Sequence, residues 1–173
     1  MLLQSSQLAN TKIISLHTGQ IIGQAGPAII NPHDLQLLGF YAQIARSQQS
    51  NMVLLTQDIR QADGSKIFVD SIDEITPAEE LVRHKSTFDI NFQINGKPVR
   101  TASKKKLGKV EDYIINTLGW QIQKIYVKQP IFKSLSGGTL VIDRDQITEV
   151  NDKEVVVSDA TAAKPALATP PAT

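Results

Sequence analysis

The chain has 173 residues, with 18 Lys/Arg against 17 Asp/Glu and no cysteine. The missing cysteine excludes disulfides, thiolate nucleophiles and cysteine-ligated zinc or iron–sulfur centres, and no run of about 18 apolar residues offers a membrane-spanning helix. The near-neutral total conceals a division, because residues 1–96 carry a net charge of −3, residues 97–133 carry +7 and residues 134–173 carry −3.

The start, Met1-Leu-Leu-Gln-Ser-Ser-Gln, has neither a basic n-region nor an apolar run of export length, so a soluble cytoplasmic protein is expected. Short β-branched or apolar runs then follow one another between Gly, Pro, Asn and Asp: Ile13–Leu16, Ala28–Ile30, Leu37–Ile44, Met52–Leu55 and Lys66–Val69. That is the pattern of a small antiparallel barrel. Thr76-Pro-Ala-Glu79 carries the marks of a helix start, with Thr as N-cap, Pro at the first helical position and Glu closing a capping box, which predicts a short helix to about Arg83. Phe88-Asp-Ile-Asn-Phe-Gln-Ile94 alternates strictly and predicts an extended segment ending at the Asn95-Gly96 turn. Strand signals return at Pro98-Val99, Tyr113–Ile115, Gln121–Val127, Thr139–Ile142 and Glu154–Val157. The Ala-, Pro- and Thr-rich residues 160–173 cannot build a core and are expected to form a disordered tail.

The second set of strands is a copy of the first. Lys12, Gly23, Ile29, Ile30, Asn31, Gln36 and Tyr41 recur 85 residues later as Lys97, Gly108, Ile114, Ile115, Asn116, Gln121 and Tyr126. At an offset of 88 the match continues through Val53/Val141, Ile59/Ile147 and Val69/Val157, with Asp63-Gly64 opposite Asn151-Asp152. Two small domains of about 75 residues are implied, with Gly23 and Gly108 predicted at positions that reject a side chain.

Lys106-Leu-Gly-Lys-Val-Glu-Asp-Tyr-Ile-Ile-Asn116, the strand Trp120–Lys128, Leu140–Ile147 and Val155-Val-Val157 together resemble the PRC-barrel family. Ile22-Gly-Gln24, Ile29–Pro32, Phe40-Tyr-Ala42, Asp58-Ile59 and Ile67-Phe-Val69 carry the same resemblance in the first copy. It departs at Gly26-Pro27, where the acidic pair of the pattern is missing, and at the long Pro130–Thr139 loop. The resemblance implies an all-β chain of two tandem small SH3-like barrels, at residues 10–75 and 96–159, joined by a helix-containing linker at 76–95. It also implies docking to protein, as in the cytoplasmic part of the photosynthetic reaction-centre H subunit and in a ribosome maturation factor. No cofactor is expected.

Chemistry-bearing patterns are sparse. His17, His33 and His84 lack metal-ligand spacing, no Gly-x-Ser-x-Gly elbow occurs, and Ser136-Gly-Gly-Thr139 lacks the lysine and helix of a phosphate loop. Asp143, Asp145 and Glu149 read as a solvated strand face. The cations Lys97, Arg100, Lys104, Lys105, Lys106 and Lys109, joined by Lys124, Lys128 and Lys133, are the candidate binding residues. Such a cluster serves phosphate backbones or acidic protein surfaces; equally, lysines guard a soluble sheet edge. Tyr113, Trp120 and Tyr126, the nearby aromatics, are expected to face the core and not to stack bases. The expected function is that of a non-enzymatic adaptor. The competitors are an RNA- or ribosome-associated factor and a small ligand-binding protein or enzyme with a pocket between the barrels.

Overall fold

A computed structural model of the chain describes residues 1–45, 47, 49–130 and 138–162. They divide into two compact units, one of Met1–Phe92 with Ile115–Gln121 and one of Gln93–Ile114 with the residues from Ile122 onward. Both are mostly β.

In the first unit, β1 (Leu2–Gln4) and the single-turn α1 (Ser5–Leu8) precede β2 (Lys12–Ser15), β3 (Ile21–Ile30), β4 (Leu37–Ile44), β5 (Met52–Leu55), β6 (Ile59–Ala62), β7 (Lys66–Val69) and β8 (Ile75–Pro77). Their sheet runs β6-β7-β2-β3-β4-β5-β8. The other strands are β9 (Pro98–Thr101), β10 (Lys106–Asn116), β11 (Gln121–Lys128), β12 (Thr139–Asp143), β13 (Ile147–Val150) and β14 (Val155–Val157), and they run β13-β14-β9-β10-β11-β12. Strand for strand this is the first order again, including the one parallel pair in each, β2 with β7 and β9 with β14.

The register repeats as well. Tyr41 pairs with Val53 and Phe40 with Leu54, as Tyr126 pairs with Val141 and Ile125 with Ile142. Since a slip of one residue would turn every side chain to the other face, shared register means a shared core. Ile30/Ile115, Leu37/Ile122, Phe40/Ile125, Leu54/Ile142, Ile67/Val155 and Val69/Val157 are all buried. Tyr41 and Tyr126 are half-buried, because strand alternation turns them to the face opposite their buried neighbours Phe40 and Ala42, and Ile125 and Val127. The matched Lys12 and Lys97 are not equivalent: Ile13 lies opposite Ile67 and Val99 opposite Val155, which makes the offset 86 in this first strand.

Turns explain the polar identities. Asn31 Oδ1 accepts the His33 N–H at 3.1 Å, and Asn116 Oδ1 accepts the Leu118 N–H at 3.1 Å. Each Asx turn ends in a left-handed residue at the same offset, Leu35 (φ 59°) and Trp120 (φ 48°). Both turns belong to the first unit. There Gln36 pairs with Gln121, Gln36 Nε2 donates to the Gly119 carbonyl at 3.5 Å, and Gln121 Nε2 donates to the Asp34 carbonyl at 3.3 Å. The second exchange is the first with each residue replaced by its counterpart. Gly23 and Gly108 are explained by close approach: a Cβ would stand 2.6 Å from the Gln43 carbonyl oxygen and 2.1 Å from that of Lys128.

Residues 76–94 depart from expectation. Thr76 caps nothing; it lies in β8, paired with Val53. Single 3-10 turns follow at Ala78–Glu80 and Val82–His84, and the helix, α2, occupies Lys85–Ile90, ending at left-handed Asn91. Phe88 and Ile90, expected in an extended segment, are therefore helical. Ala78, Leu81 and Phe88 pack on buried Ile29, Val53 and Leu55, so contacts available only in the folded unit outweigh the local alternation. Toward the end, Asp159–Ala162 forms another 3-10 turn with Thr161 buried, so ordered backbone reaches past residue 160; the rest of the expected tail lies outside the described residues.

Candidate docking groove

The first four residues of β10 rise beside β9, and between Lys106 and Gly108 the register shifts by a bulge. A bulge splays the strand and re-aims its side chains. Together with Lys128 at the end of β11 and Gln129 and Pro130 beyond it, these strands border a groove of about 900 Å³ within the second unit. Pro98, Val99, Gly108 and Pro130 give it apolar and backbone surface, and Arg100, Lys104, Lys106, Lys109 and Lys128 border it with positive charge.

Arg100 is the fixed member of the set. Its Nε donates to Glu154 Oε2 at 2.7 Å, and both side chains are about one quarter exposed. This bond holds the Glu154 carboxyl below its ordinary range and raises the guanidinium above its own. The remaining cations are differently placed. Lys104 turns the β9–β10 hairpin in a left-handed conformation (φ 68°), its N–H donating to the Thr101 carbonyl at 2.9 Å. Lys109 is exposed, and exposed Lys128 sits 3.5 Å from Glu111. The one groove carboxylate is thus already engaged, and the lysine rim keeps an excess of positive charge.

Of the six cations expected from sequence, Arg100, Lys104, Lys106 and Lys109 converge here. Lys97 does not: its ammonium donates to the Asp152 carbonyl. Exposed Lys105 also stays off the groove. Of the supporting lysines, Lys128 joins the rim, Lys124 is held by Asp143 at 2.9 Å, and Lys133 lies outside the described residues. Asp143 stays exposed in that ion pair, and with exposed Asp145 and Glu149 it forms the solvated face expected of the three. Tyr113 is buried as expected, but Trp120 and Tyr126 are only half-buried, Trp120 meeting Phe40 edge-to-face at 5.8 Å.

No protein-family model matches this chain, and no curated protein does. The groove's own chemistry is the guide to what it holds. No aromatic residue stands among its described lining, so it offers no platform for unstacked bases. Among the described residues no three His, Asp or Glu gather as metal ligands would, and no helix is long and apolar enough to cross a membrane. Sequence reasoning missed the apolar floor, since Pro98, Gly108 and Pro130 become neighbours only through strand pairing.

Proposed function

We propose that the chain is a non-enzymatic docking protein of the cytoplasm, built from two tandem small SH3-like barrels of PRC type, whose second barrel takes up an acidic segment of a partner protein. One observation carries the reading: four of the sequence-predicted cations and Lys128 border a single groove with an apolar floor, instead of being spread evenly over a face. Carboxylates on the incoming segment meet the lysines, and apolar residues between them cover exposed Pro98 and Pro130. Rim charges of this kind govern association rate and salt dependence more than final affinity. An RNA backbone would use the lysines and leave the apolar floor idle. The repeated strand order and the residues shared with PRC barrels support the barrel assignment.

Binding of a fluorescent Asp/Glu-rich peptide that also carries Leu and Phe, followed by anisotropy at low salt, tests this. Replacing Lys104, Lys106 and Lys109 with Glu should abolish binding, whereas Lys105→Glu, a like change off the groove, should leave most of it. Equal losses from both variants would mean diffuse charge without a site. Tighter binding of single-stranded RNA than of the peptide would replace this reading with nucleic-acid association.

A further inference from the structure

The first unit has a groove of its own, about 610 Å³, bounded by β3, β4, the start of β5 and α2. No charged side chain stands among its described lining. Asn10, Gln24, Gln43, Asn51 and Asn91 supply the polar groups, and Tyr41 and Phe88 supply aromatic rings.

Both rings are held from behind, packed on Ile29, Val53 and Leu55. Three of the amides come from residues with left-handed backbone, Asn10 (φ 64°), Asn51 (φ 59°) and Asn91 (φ 44°), where asparagine is tolerated better than most residues. Gln24 Nε2 is anchored on the Asn10 carbonyl at 2.8 Å. The side chains of Asn10, Tyr41, Gln43, Asn51 and Asn91 make no hydrogen bond to other described residues. Each of the four amides therefore presents an acceptor and two donors, and Tyr41 a hydroxyl.

From this set we infer that the groove binds a neutral carbohydrate. A charged ligand would lose hydration here without meeting a counter-charge, and a purely apolar one would strand the amides. A sugar has both surfaces that match: C–H faces that lie on an aromatic ring, and vicinal hydroxyls that donate to and accept from side-chain amides together. The volume is that of a small-molecule site. This site is separate from the docking groove, and either can fail without the other.

The test is a titration of the full isotopically labelled chain with cellobiose, maltose and N,N′-diacetylchitobiose, read by amide chemical shifts. At least one disaccharide should move the signals of residues 24–26, 41–43, 51–52 and 88–91 and leave residues 99–109 unmoved. Gln43→Ala alters an exposed position, and Asn51→Gly removes an amide while keeping the left-handed backbone available. Each should weaken binding by about 2- to 10-fold, the worth of one uncharged hydrogen bond. The inference is overturned if none of the three sugars shifts these signals, if both variants bind like the parent, or if a sulfated polysaccharide binds there more tightly than the neutral sugars.

Discussion

Gln24 and Gln43 of the first repeat stand at the positions of Lys109 and Lys128 in the second, so equivalent strand surfaces face solvent with neutral amides in one copy and with ammonium groups in the other. Between them, Gly26-Pro27 is answered by Glu111-Asp112, and Glu111 lies beside Lys128. The two copies kept what shapes the backbone: buried aliphatic pairs, Asx turns and the glycines under crossing carbonyls. They diverged at exposed strand positions. A duplicated scaffold can in this way carry two unlike binding chemistries, because exposed strand positions place little demand on stability.

If the cores are equivalent, deleting the same side chain from each should cost alike. Ile30→Ala and Ile115→Ala remove fully enclosed groups and should each destabilise by about 2–5 kcal/mol in denaturant unfolding. A large cost in one and none in the other would break the equivalence at its strongest point. The glycines sharpen it further. Gly108→Ala should cost about 1–3 kcal/mol, and Gly23→Ala less, since its Cβ would meet the carbonyl oxygen at 2.6 Å and not 2.1 Å.

Making the second surface resemble the first, with Lys109→Gln and Lys128→Gln, should change stability by no more than about 0.5 kcal/mol while greatly weakening the acidic peptide. Calorimetric unfolding and anisotropy on one preparation would read both. Unchanged peptide binding would show that Lys104 and Lys106 suffice and that divergence at these two positions is unrelated to docking.

Repetition was legible in sequence because its signals are local: Asn31 and Asn116 bond to the N–H two residues on, and Gly23 and Gly108 make room for a crossing backbone. The strands between them were legible for the same reason. The helix was not. Thr76-Pro-Ala-Glu79 has every local mark of a helix start, yet pairing of Thr76 with Val53 takes the backbone first. Lys97 shows why the site was read only in part, since charge counts but not the reach to Asp152 are written in the chain. The neutral groove left even less trace, its amides being contributed by residues as distant as Asn10 and Asn91.

The finest difference between the repeats lies in a hairpin turn. Asp63 Oδ1 accepts the N–H groups of Ser65 and Lys66, both at 2.8 Å, and Asn151 Oδ1 accepts those of Lys153 and Glu154 at 2.9 and 3.0 Å. The geometry is shared, and only in the first turn is the accepting side chain itself a titratable group. The bond from the Ser65 N–H, then those from the Ser65 hydroxyl and the Lys66 N–H, hold the Asp63 carboxyl below its ordinary value. A depressed folded value means that the contribution to stability is present above the unfolded carboxyl's pKa, about 3.9, and is lost as pH falls through the folded one. The amides of Ser65 and Lys66 should therefore lose hydrogen-exchange protection, relative to those of Lys153 and Glu154, as pH drops below about 4. Asp63→Asn should remove that acid sensitivity, and Asn151→Asp should install it in the second turn. Because the carboxyl is exposed, the shift in overall stability will be the smallest of these effects, and site-resolved exchange is the measurement able to see it. Should both turns loosen together on acidification, the carboxylate is not what distinguishes them, and the loss must come from the sheets they join.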